Sequence, residues 1–172
     1  GKLVVIGGNT DNGTASSIEV YDLNAENPTW VRTAGCLPEP LRGSKAIQVS
    51  ENKLWLIGGI DMWESFSKAI YEITINDDCT AVVDISPIAE MSNEVYDFGV
   101  AKQKREGIDY VVIAGGRYVE YAGRSETYKA SDVIDVIRID DPTEHDTWQM
   151  ATGRYCFAAI EIPVNDTFAE DD

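Results

Sequence analysis

Three double glycines set the main constraint on how this chain can fold. Each pair ends a short run of aliphatic and β-branched residues: LVVIGG to Gly8, KLWLIGG to Gly59 and YVVIAGG to Gly116. Glycine tolerates backbone angles that other residues avoid, and at the end of a strand it marks a bend or a close approach. The pairs return after 51 residues (8 to 59) and 57 residues (59 to 116). This spacing predicts an array of repeats of roughly 50 residues.

Short extended runs and turn signals fill the space between the glycine pairs. Runs such as SSIEVYDL and KAIYEITI alternate polar and apolar residues, which is typical of half-buried strands, and no helical period is present. Asp, Asn, Gly and Pro separate the runs. The sequence therefore predicts an all-β protein with about three antiparallel units of four strands, the first of them partial. Three loops are predicted after the glycine pairs, at Asn9–Ala15, Ile60–Ser67 and Arg117–Lys129.

Charge and hydropathy exclude several classes of partner. The 172 residues include 14 Lys plus Arg against 30 Asp plus Glu, a formal net charge of −16. Binding to nucleic acid or to anionic membranes requires clustered positive charge, so neither partner is expected. No run of 18 apolar residues and no signal-like segment is present.

The three cysteines lack metal-site spacing, which favours reduced thiols and a cytoplasmic location. The sequons at Asn12 and Asn165 favour the alternative, a secreted glycoprotein.

The residues that usually carry catalysis or hold cofactors form no recognisable motif. The segment GGNTDNG resembles a phosphate loop, but it lacks the dinucleotide spacing and a strand follows it instead of a helix. Acidic pairs such as Asp77-Asp78 lack the alternation of a calcium loop. His145 is expected to be an exposed residue of an acidic turn, without a serine or cysteine partner. No cofactor, metal or catalytic residue is therefore predicted.

The repeat pattern resembles that of the kelch family. A kelch unit has a strand ending in a double glycine, then a tyrosine, a tryptophan, and an arginine after a turn of Met-Pro type. Unit one matches with Gly7-Gly8, Tyr21, Trp30, Leu37-Pro38 and Arg42; unit two with Gly58-Gly59 and Tyr71, with Val82 or Val83 for the tryptophan; unit three with Gly115-Gly116, Trp148, Met150 and Arg154, with Val136 or Ile137 for the tyrosine. The resemblance covers nearly the whole chain.

The resemblance implies a partial β-propeller of about three four-stranded blades, in which neighbouring blades pack face to face. Tyr21, Trp30, Tyr71 and Trp148 are then expected to pack between blades. The expected boundaries are blade one at 1–35, blade two at 36–91, blade three at 92–153, the first strand of a further blade at 154–163, and an acidic tail at 164–172. Because a ring typically needs four to eight blades, we expect missing blades or oligomeric closure to complete it. Since the chain starts at Gly1 without a methionine and directly in a predicted strand, we also expect a native N-terminus before Gly1.

The resemblance also implies a function in binding a protein or peptide on one loop face. The connections Pro38–Arg42, Ser92–Tyr96 and Gly153–Tyr155 are expected to share that face with the three loops after the glycine pairs. Tyr, Trp and Arg contribute most to interface energies. The candidate partner-binding residues are Met62, Trp63, Phe66, Arg117, Tyr118, Tyr121, Arg124 and Tyr128, with Arg42 and Arg154, which in kelch units often brace neighbouring blades.

The favoured function is a non-catalytic interaction module, such as the substrate-recognition kelch domain of a ubiquitin-ligase adaptor. One alternative is a fragment of a kelch-type enzyme that acts on sugars or carries copper. The other is the secreted kelch glycoprotein that the two sequons favour.

Overall fold

The regular secondary structure of the described residues consists of β-strands. A computed structural model describes residues 1–122 and 125–160, and within these ranges it contains no helix. The prediction of an all-β protein is confirmed. Among these residues there is accordingly no helical segment with the length and hydropathy needed to span a membrane.

Three antiparallel sheets follow one another along the chain. Sheet one has three strands in the order β1-β4-β5, and sheets two and three have four strands each in the orders β6-β7-β8-β9 and β10-β11-β14-β15. The bounds in sheet one are β1 Lys2–Ile6, β4 Ser17–Asp22 and β5 Trp30–Cys36. In sheet two they are β6 Lys45–Gln48, β7 Lys53–Ile60, β8 Phe66–Ile75 and β9 Val82–Glu90. In sheet three they are β10 Gly99–Arg105, β11 Ile108–Ala114, β14 Val133–Arg138 and β15 His145–Gln149.

Two of the predicted loops are β-ribbons. Within the predicted loop Asn9–Ala15, β2 (Asn9–Thr10) pairs with β3 (Gly13–Thr14). The predicted loop Arg117–Lys129 is a hairpin in which β12 (Arg117–Ala122) pairs with β13 (Ser125–Ala130) over six residue pairs. The loop assignment was wrong because its tyrosines, valine and threonine favour extended backbone and find partners across the hairpin.

Two apolar cores lie on opposite faces of sheet two. Ile18 and Leu37 pack against Leu56 and Ile73 in the core between sheets one and two. The core between sheets two and three contains Trp55, Ile57, Phe98, Val111 and Ile137. Leu56 and Ile57 thus face opposite cores, as successive residues of a strand must. Burial of both faces explains why KLWLIGG is an almost unbroken apolar run.

The backbone around each double glycine is repeated in the three units. The first glycine of each pair has φ of 60°, 57° and 63°, and the second has φ of 94°, 119° and 101° (Gly7-Gly8, Gly58-Gly59 and Gly115-Gly116). The amide of Gly8 donates to the carbonyl of Leu41 at 2.7 Å, and that of Gly116 donates to the carbonyl of Arg154 at 2.9 Å. In the first and third units the double glycine therefore contacts the connection that leads onward from its sheet.

The strand register places several aromatic residues differently from the sequence prediction. The residue before each glycine pair lies opposite an isoleucine, which makes Ile18, Ile70 and Ile134 equivalent. Tyr21 lies three residues after Ile18, and Ile137 lies three residues after Ile134. Tyr71, in contrast, lies one residue after Ile70, as Asp135 does after Ile134. Tyr71 is therefore not the counterpart of Tyr21, and of the two residues predicted to replace the tyrosine in unit three, Ile137 has that position.

The predicted counterparts of Trp30 are also wrong. Trp30 lies opposite Tyr21. The residue opposite Ile73, which is equivalent to Tyr21, is Ile85 rather than Val82 or Val83. In sheet three His145 lies opposite Ile137, while Trp148 lies opposite Ile134. The turns before these strands differ in length, so residue counts along the chain do not preserve the register.

The burial of these aromatic residues differs from one to the next. Tyr71 packs against the core between sheets one and two, as expected for a residue between units. Tyr21 contacts Trp30 with ring centroids 5.1 Å apart, but Trp30 is 48% exposed and Trp148 is 41% exposed. Packing between blades stays a prediction for Tyr21, Trp30 and Trp148.

The segment after sheet three crosses the end of that sheet without joining a strand. Residues 154–160 have no strand in the structure, and residues 161–163 and the acidic tail lie outside the described residues. Phe157 lies beside Gly99 and Gly115, as Phe98 lies beside Gly58 in the unit before. The further strand at 154–163 stays a prediction.

Candidate partner-binding site

A cavity of about 1080 Å³ lies between the β7–β8 loop of sheet two and the β12–β13 ribbon, which is inserted between β11 and β14 of sheet three. One wall is formed by residues 63–66 and Lys68, and the facing wall by the β12–β13 ribbon and the residues after it. Residues 92–94, which connect the two sheets, complete the lining. The cavity thus brings together segments that the sequence placed on one loop face.

Of the predicted partner-binding residues that the structure describes, four line this cavity: Trp63, Phe66, Tyr118 and Tyr121. Trp63 is 72% exposed and Tyr121 is 70% exposed, so most of both side chains is accessible to a partner. Tyr118 packs partly against the core between sheets two and three. Phe66 stacks on Tyr96, with ring centroids 4.8 Å apart and planes 5° apart. The cavity therefore has two exposed aromatic side chains at its surface and two aromatic residues fixed by packing.

The loop that carries Trp63 is held by an aspartate. The carboxylate of Asp61 accepts hydrogen bonds from the backbone amides of Trp63 and Ser65 at 2.8 and 2.9 Å. Glu64 has a φ of 65°, which turns the chain between these two amides. This local hydrogen bonding is typical of Asp in turns. It fixes the backbone that presents Trp63.

The charged residues that line the cavity are mainly acidic. In the described part of the chain they are Glu64, Lys68, Glu94 and Asp132. Glu64 forms an ion pair with Arg42, and Lys68 forms one with Glu90 at 2.7 Å. The hydrogen bond to Glu90 and the charge of that carboxylate raise the pKa of Lys68, and the charge of Glu94 adds to this effect. Lys68 is therefore charged and already paired.

Arg117 lies beside the cavity in a cluster that we call the Arg117 cluster: Tyr96, Asp97, Arg117, Tyr128 and Tyr155. The guanidinium carbon lies 4.3 Å from the ring centroid of Tyr96 and 5.3 Å from those of Tyr128 and Tyr155. Its Nε and Nη2 both lie 2.9 Å from a carboxylate oxygen of Asp97. The cluster joins the start of the ribbon to the connections before and after sheet three. The contacts of Arg117 are therefore within the chain.

The other predicted residues that the structure describes lie outside the cavity. Met62 is 57% exposed and Tyr128 belongs to the Arg117 cluster. The backbone of Arg42 pairs with Ile60, as that of Tyr96 pairs with Arg117, so Arg42 is equivalent to Tyr96. Arg154 donates its amide to the carbonyl of Ser131 and corresponds to Leu41, so the two arginines are not equivalent as predicted. Arg124 lies outside the described residues.

A buried carboxylate ties the connection between sheets two and three to sheet three. Asp135 is 4% exposed and accepts hydrogen bonds from the amide and the hydroxyl of Ser92, at 3.1 and 2.5 Å. His145 Nε2 lies 2.8 Å from the same carboxylate, so the expectation that His145 is simply exposed was wrong. The carboxylate lies between the hydroxyl and the imidazole, and this order does not provide the Ser–His contact of a nucleophilic triad.

The thiol of Cys156 lies beside the Arg117 cluster. Loss of solvent around the sulfur, followed by a hydrogen bond to Asp97 and its charge, raises the pKa of Cys156. A raised pKa keeps the thiol protonated and weakly nucleophilic. Within the described ranges no group of His, Cys, Asp and Glu is arranged to hold a metal ion.

Sequence reasoning did not single out several residues that build this region. Tyr96, Asp97 and Tyr155 complete the Arg117 cluster, and Glu94 and Asp132 line the cavity. Tyr96 and Tyr155 occupy equivalent positions in the connections before and after sheet three. Each precedes a residue with positive φ, Asp97 at 57° and Cys156 at 54°. The equivalent positive φ in the first connection belongs to Gly43, at 68°. Of Gly43, Asp97 and Cys156, only Gly43 indicates a positive φ by its residue type.

Together these features define an all-β protein of small antiparallel sheets with a cavity at the loops between two sheets. No family model matches the chain, and no curated protein matches it. In a comparison with solved structures, 101 chains match. One of them, described as the structure of YjhT, has a TM-score of 0.64 and 15% sequence identity. The match covers 86% of this chain and 42% of that chain, so this chain spans less than half the length of YjhT. At this identity the likeness concerns the fold alone.

Proposed function

We propose that this chain is part of a kelch-type β-propeller and acts as a non-catalytic module that binds a protein or peptide partner. The propeller is supported by two four-stranded sheets, by cores on both faces of sheet two, and by the repeated backbone of the double glycines. In a propeller each blade needs a neighbour on both faces. We also propose that further blades or a second copy cover the outer face of sheet one.

The observation that carries the binding proposal is the exposure of Trp63 and Tyr121 on facing walls of one cavity. Trp and Tyr provide large contact area with little loss of conformational entropy, and they are enriched where interface energy concentrates. Exposed side chains of this size cost little to remove from the free protein. Their loss is therefore expected to weaken binding without weakening the fold.

Peptides selected from a random display library on the immobilised full chain provide the test. We expect the selected peptides to bind the unaltered chain and to lose about tenfold in affinity with the double variant Trp63→Ala and Tyr121→Ala. Trp148→Ala is the matched control, because Trp148 is 41% exposed and does not line the cavity. Equal binding by the double variant and the control variant would contradict the proposed site.

The narrower role, substrate recognition for an adaptor such as that of a ubiquitin ligase, is a proposal that the resemblance to kelch proteins supports. A partner identified at the cavity tests it directly. Under this role, the abundance of that partner in cells rises when Trp63 and Tyr121 are replaced. An unchanged abundance contradicts the adaptor role and leaves the binding proposal intact.

A further inference from the structure

We propose that the occupant of the cavity is an extended segment of a partner protein that inserts Lys or Arg side chains between Trp63, Tyr121 and the acidic residues of the lining. This inference rests on the proposed binding function and gives the chemistry of its partner.

The charge of the lining favours a cation. Among the described residues, four charged side chains line the cavity. Glu64 is paired with Arg42 and Lys68 with Glu90, which leaves Asp132 and also Glu94, whose charge acts on Lys68. The formal charge of −16 on the whole chain adds a long-range attraction for cations and repels anions. An acidic segment would meet like charge both on approach and in the cavity.

The aromatic walls favour the same kind of partner. Lys and Arg cations bind over the faces of aromatic rings, and Trp is the best of them. The neighbouring Arg117 cluster already shows this mode, with one guanidinium among three rings and one carboxylate. The cavity offers rings and carboxylates of the same kind, whereas its own lysine is engaged by Glu90. A cation from a partner would complete the arrangement.

The dimensions of the cavity favour a chain segment over a single small cation. Its volume of about 1080 Å³ lies at the upper limit of the range of about 300–1000 Å³ that is usual for drug-sized molecules, which is more than a single small cation fills. Its walls come from three separate parts of the chain: residues 63–68, residues 92–94, and residues 118–121 together with 130–133. An extended peptide would contact all three.

Three labelled peptides of about 12 residues, roughly 40 Å when extended, test the inference by fluorescence anisotropy with the full chain. The first alternates Arg and Lys with Gly, Ser and Thr, the second has Glu and Asp at the charged positions, and the third has Gln and Asn there. We expect the basic peptide to bind at least about tenfold more tightly than the other two. Its affinity should fall as salt rises, because part of the attraction is between charges.

Two pairs of variants separate binding in the cavity from general attraction to an acidic protein. Asp132→Asn is paired with Asp77→Asn, which removes an equal charge outside the cavity. Asp77 lies in the turn after Ile75, at the end of β8 that is far from the cavity. Trp63→Ala is paired with Trp148→Ala. We expect the cavity variants to lose about threefold to tenfold in affinity for the basic peptide and the control variants to lose less than about twofold.

Each outcome decides between the two proposals. Equal losses for Asp132→Asn and Asp77→Asn, or tight binding of the basic peptide without dependence on Trp63, would overturn the inference. If the acidic or neutral peptide binds best and depends on Trp63, the inference fails while the proposed function stands. If no peptide, including those from the display library, depends on Trp63 or Tyr121, both fail.

Discussion

At the scale of single residues, the first glycine of each pair is required by two separate constraints. Gly115 has a φ of 63°, in the left-handed region that disfavours a side chain. A Cβ on this residue would also lie 2.5 Å from the carbonyl oxygen of Arg154 and 2.9 Å from the Met150 methyl group. The carbonyl belongs to the backbone of the next connection and has little freedom to move. Gly7 has the same problem with the carbonyl of Leu41, at 2.4 Å.

Replacing Gly115 by alanine should therefore destabilise the chain more than its backbone angle alone explains. The positive φ costs about 1–2 kcal/mol, and overpacking adds about 1–3 kcal/mol. Gly107→Ala is the matched control, because Gly107 has a φ of 83° but a Cβ there would meet no atom within 4 Å. Urea unfolding of both variants gives the difference, which we expect to be at least about 1 kcal/mol. Equal losses would mean that the contact with Arg154 does not matter.

Residue types indicated the repeat correctly but not its finer register. Gly-Gly pairs were visible because only glycine fits there. Asp97 and Cys156 adopt the same backbone as Gly43, and their residue types give no sign of it. Trp148 follows Gly116 at a distance that suits the kelch pattern, yet it pairs with Ile134 instead of the counterpart of Tyr21. The register of a sheet depends on contacts between residues that are distant in the sequence. The spacing of residues along the chain does not determine these contacts.

At the scale of elements, the β12–β13 ribbon forms one wall of the cavity, and the Arg117 cluster holds its base. All six residues of β13 are exposed, so this strand adds little apolar burial to the ribbon. Its backbone joins the preceding connection through Tyr96 and Arg117, whose amides donate to each other's carbonyls at 3.0 and 2.8 Å. The side chain of Arg117 adds Asp97 and three rings to this junction. The sequence indicated an aromatic and arginine-rich segment, but not that its first arginine binds within the chain.

Arg117→Lys should therefore loosen the ribbon. Lysine keeps the charge but loses the planar group that stacks on rings and donates two bonds to one carboxylate. Because Arg117 and Asp97 are each about one-third exposed, we expect a loss of only about 1 kcal/mol. Hydrogen exchange should be faster at residues 117–122 and 125–130, while β7 and β8 keep their protection.

Arg105→Lys is the control for this substitution, since Arg105 is exposed at the end of β10, away from the ribbon. It should change neither stability nor exchange. If Arg117→Lys also leaves both unchanged but abolishes peptide binding, Arg117 acts on the partner directly, as the sequence predicted, and the structural role is wrong.

At the scale of the whole molecule, the two faces of sheet two are covered and the outer face of sheet one is not. Leu3, Val5 and Trp30 lie on that outer face and are 50%, 45% and 48% exposed. Tyr21 and Trp30 form a ring pair there. Contiguous exposed apolar residues on a sheet mark an interface. The repeats in the sequence predicted such a face, because the small sheets of an array bury each other's faces and the first sheet lacks one neighbour.

We expect this outer face to make the isolated chain self-associate, and the double variant Val5→Thr and Trp30→Thr to reduce that association. Threonine retains strand propensity while it removes apolar area. Sedimentation velocity over a range of protein concentrations measures the effect, with Val83→Thr as the control because Val83 is 65% exposed on β9 of sheet two. The unaltered chain and the control should sediment faster as concentration rises, and the double variant should do so less. A chain that sediments as a monomer at every concentration would show that the outer face is stable in water, and it would remove the main physical reason for proposing that further blades or a second copy cover it.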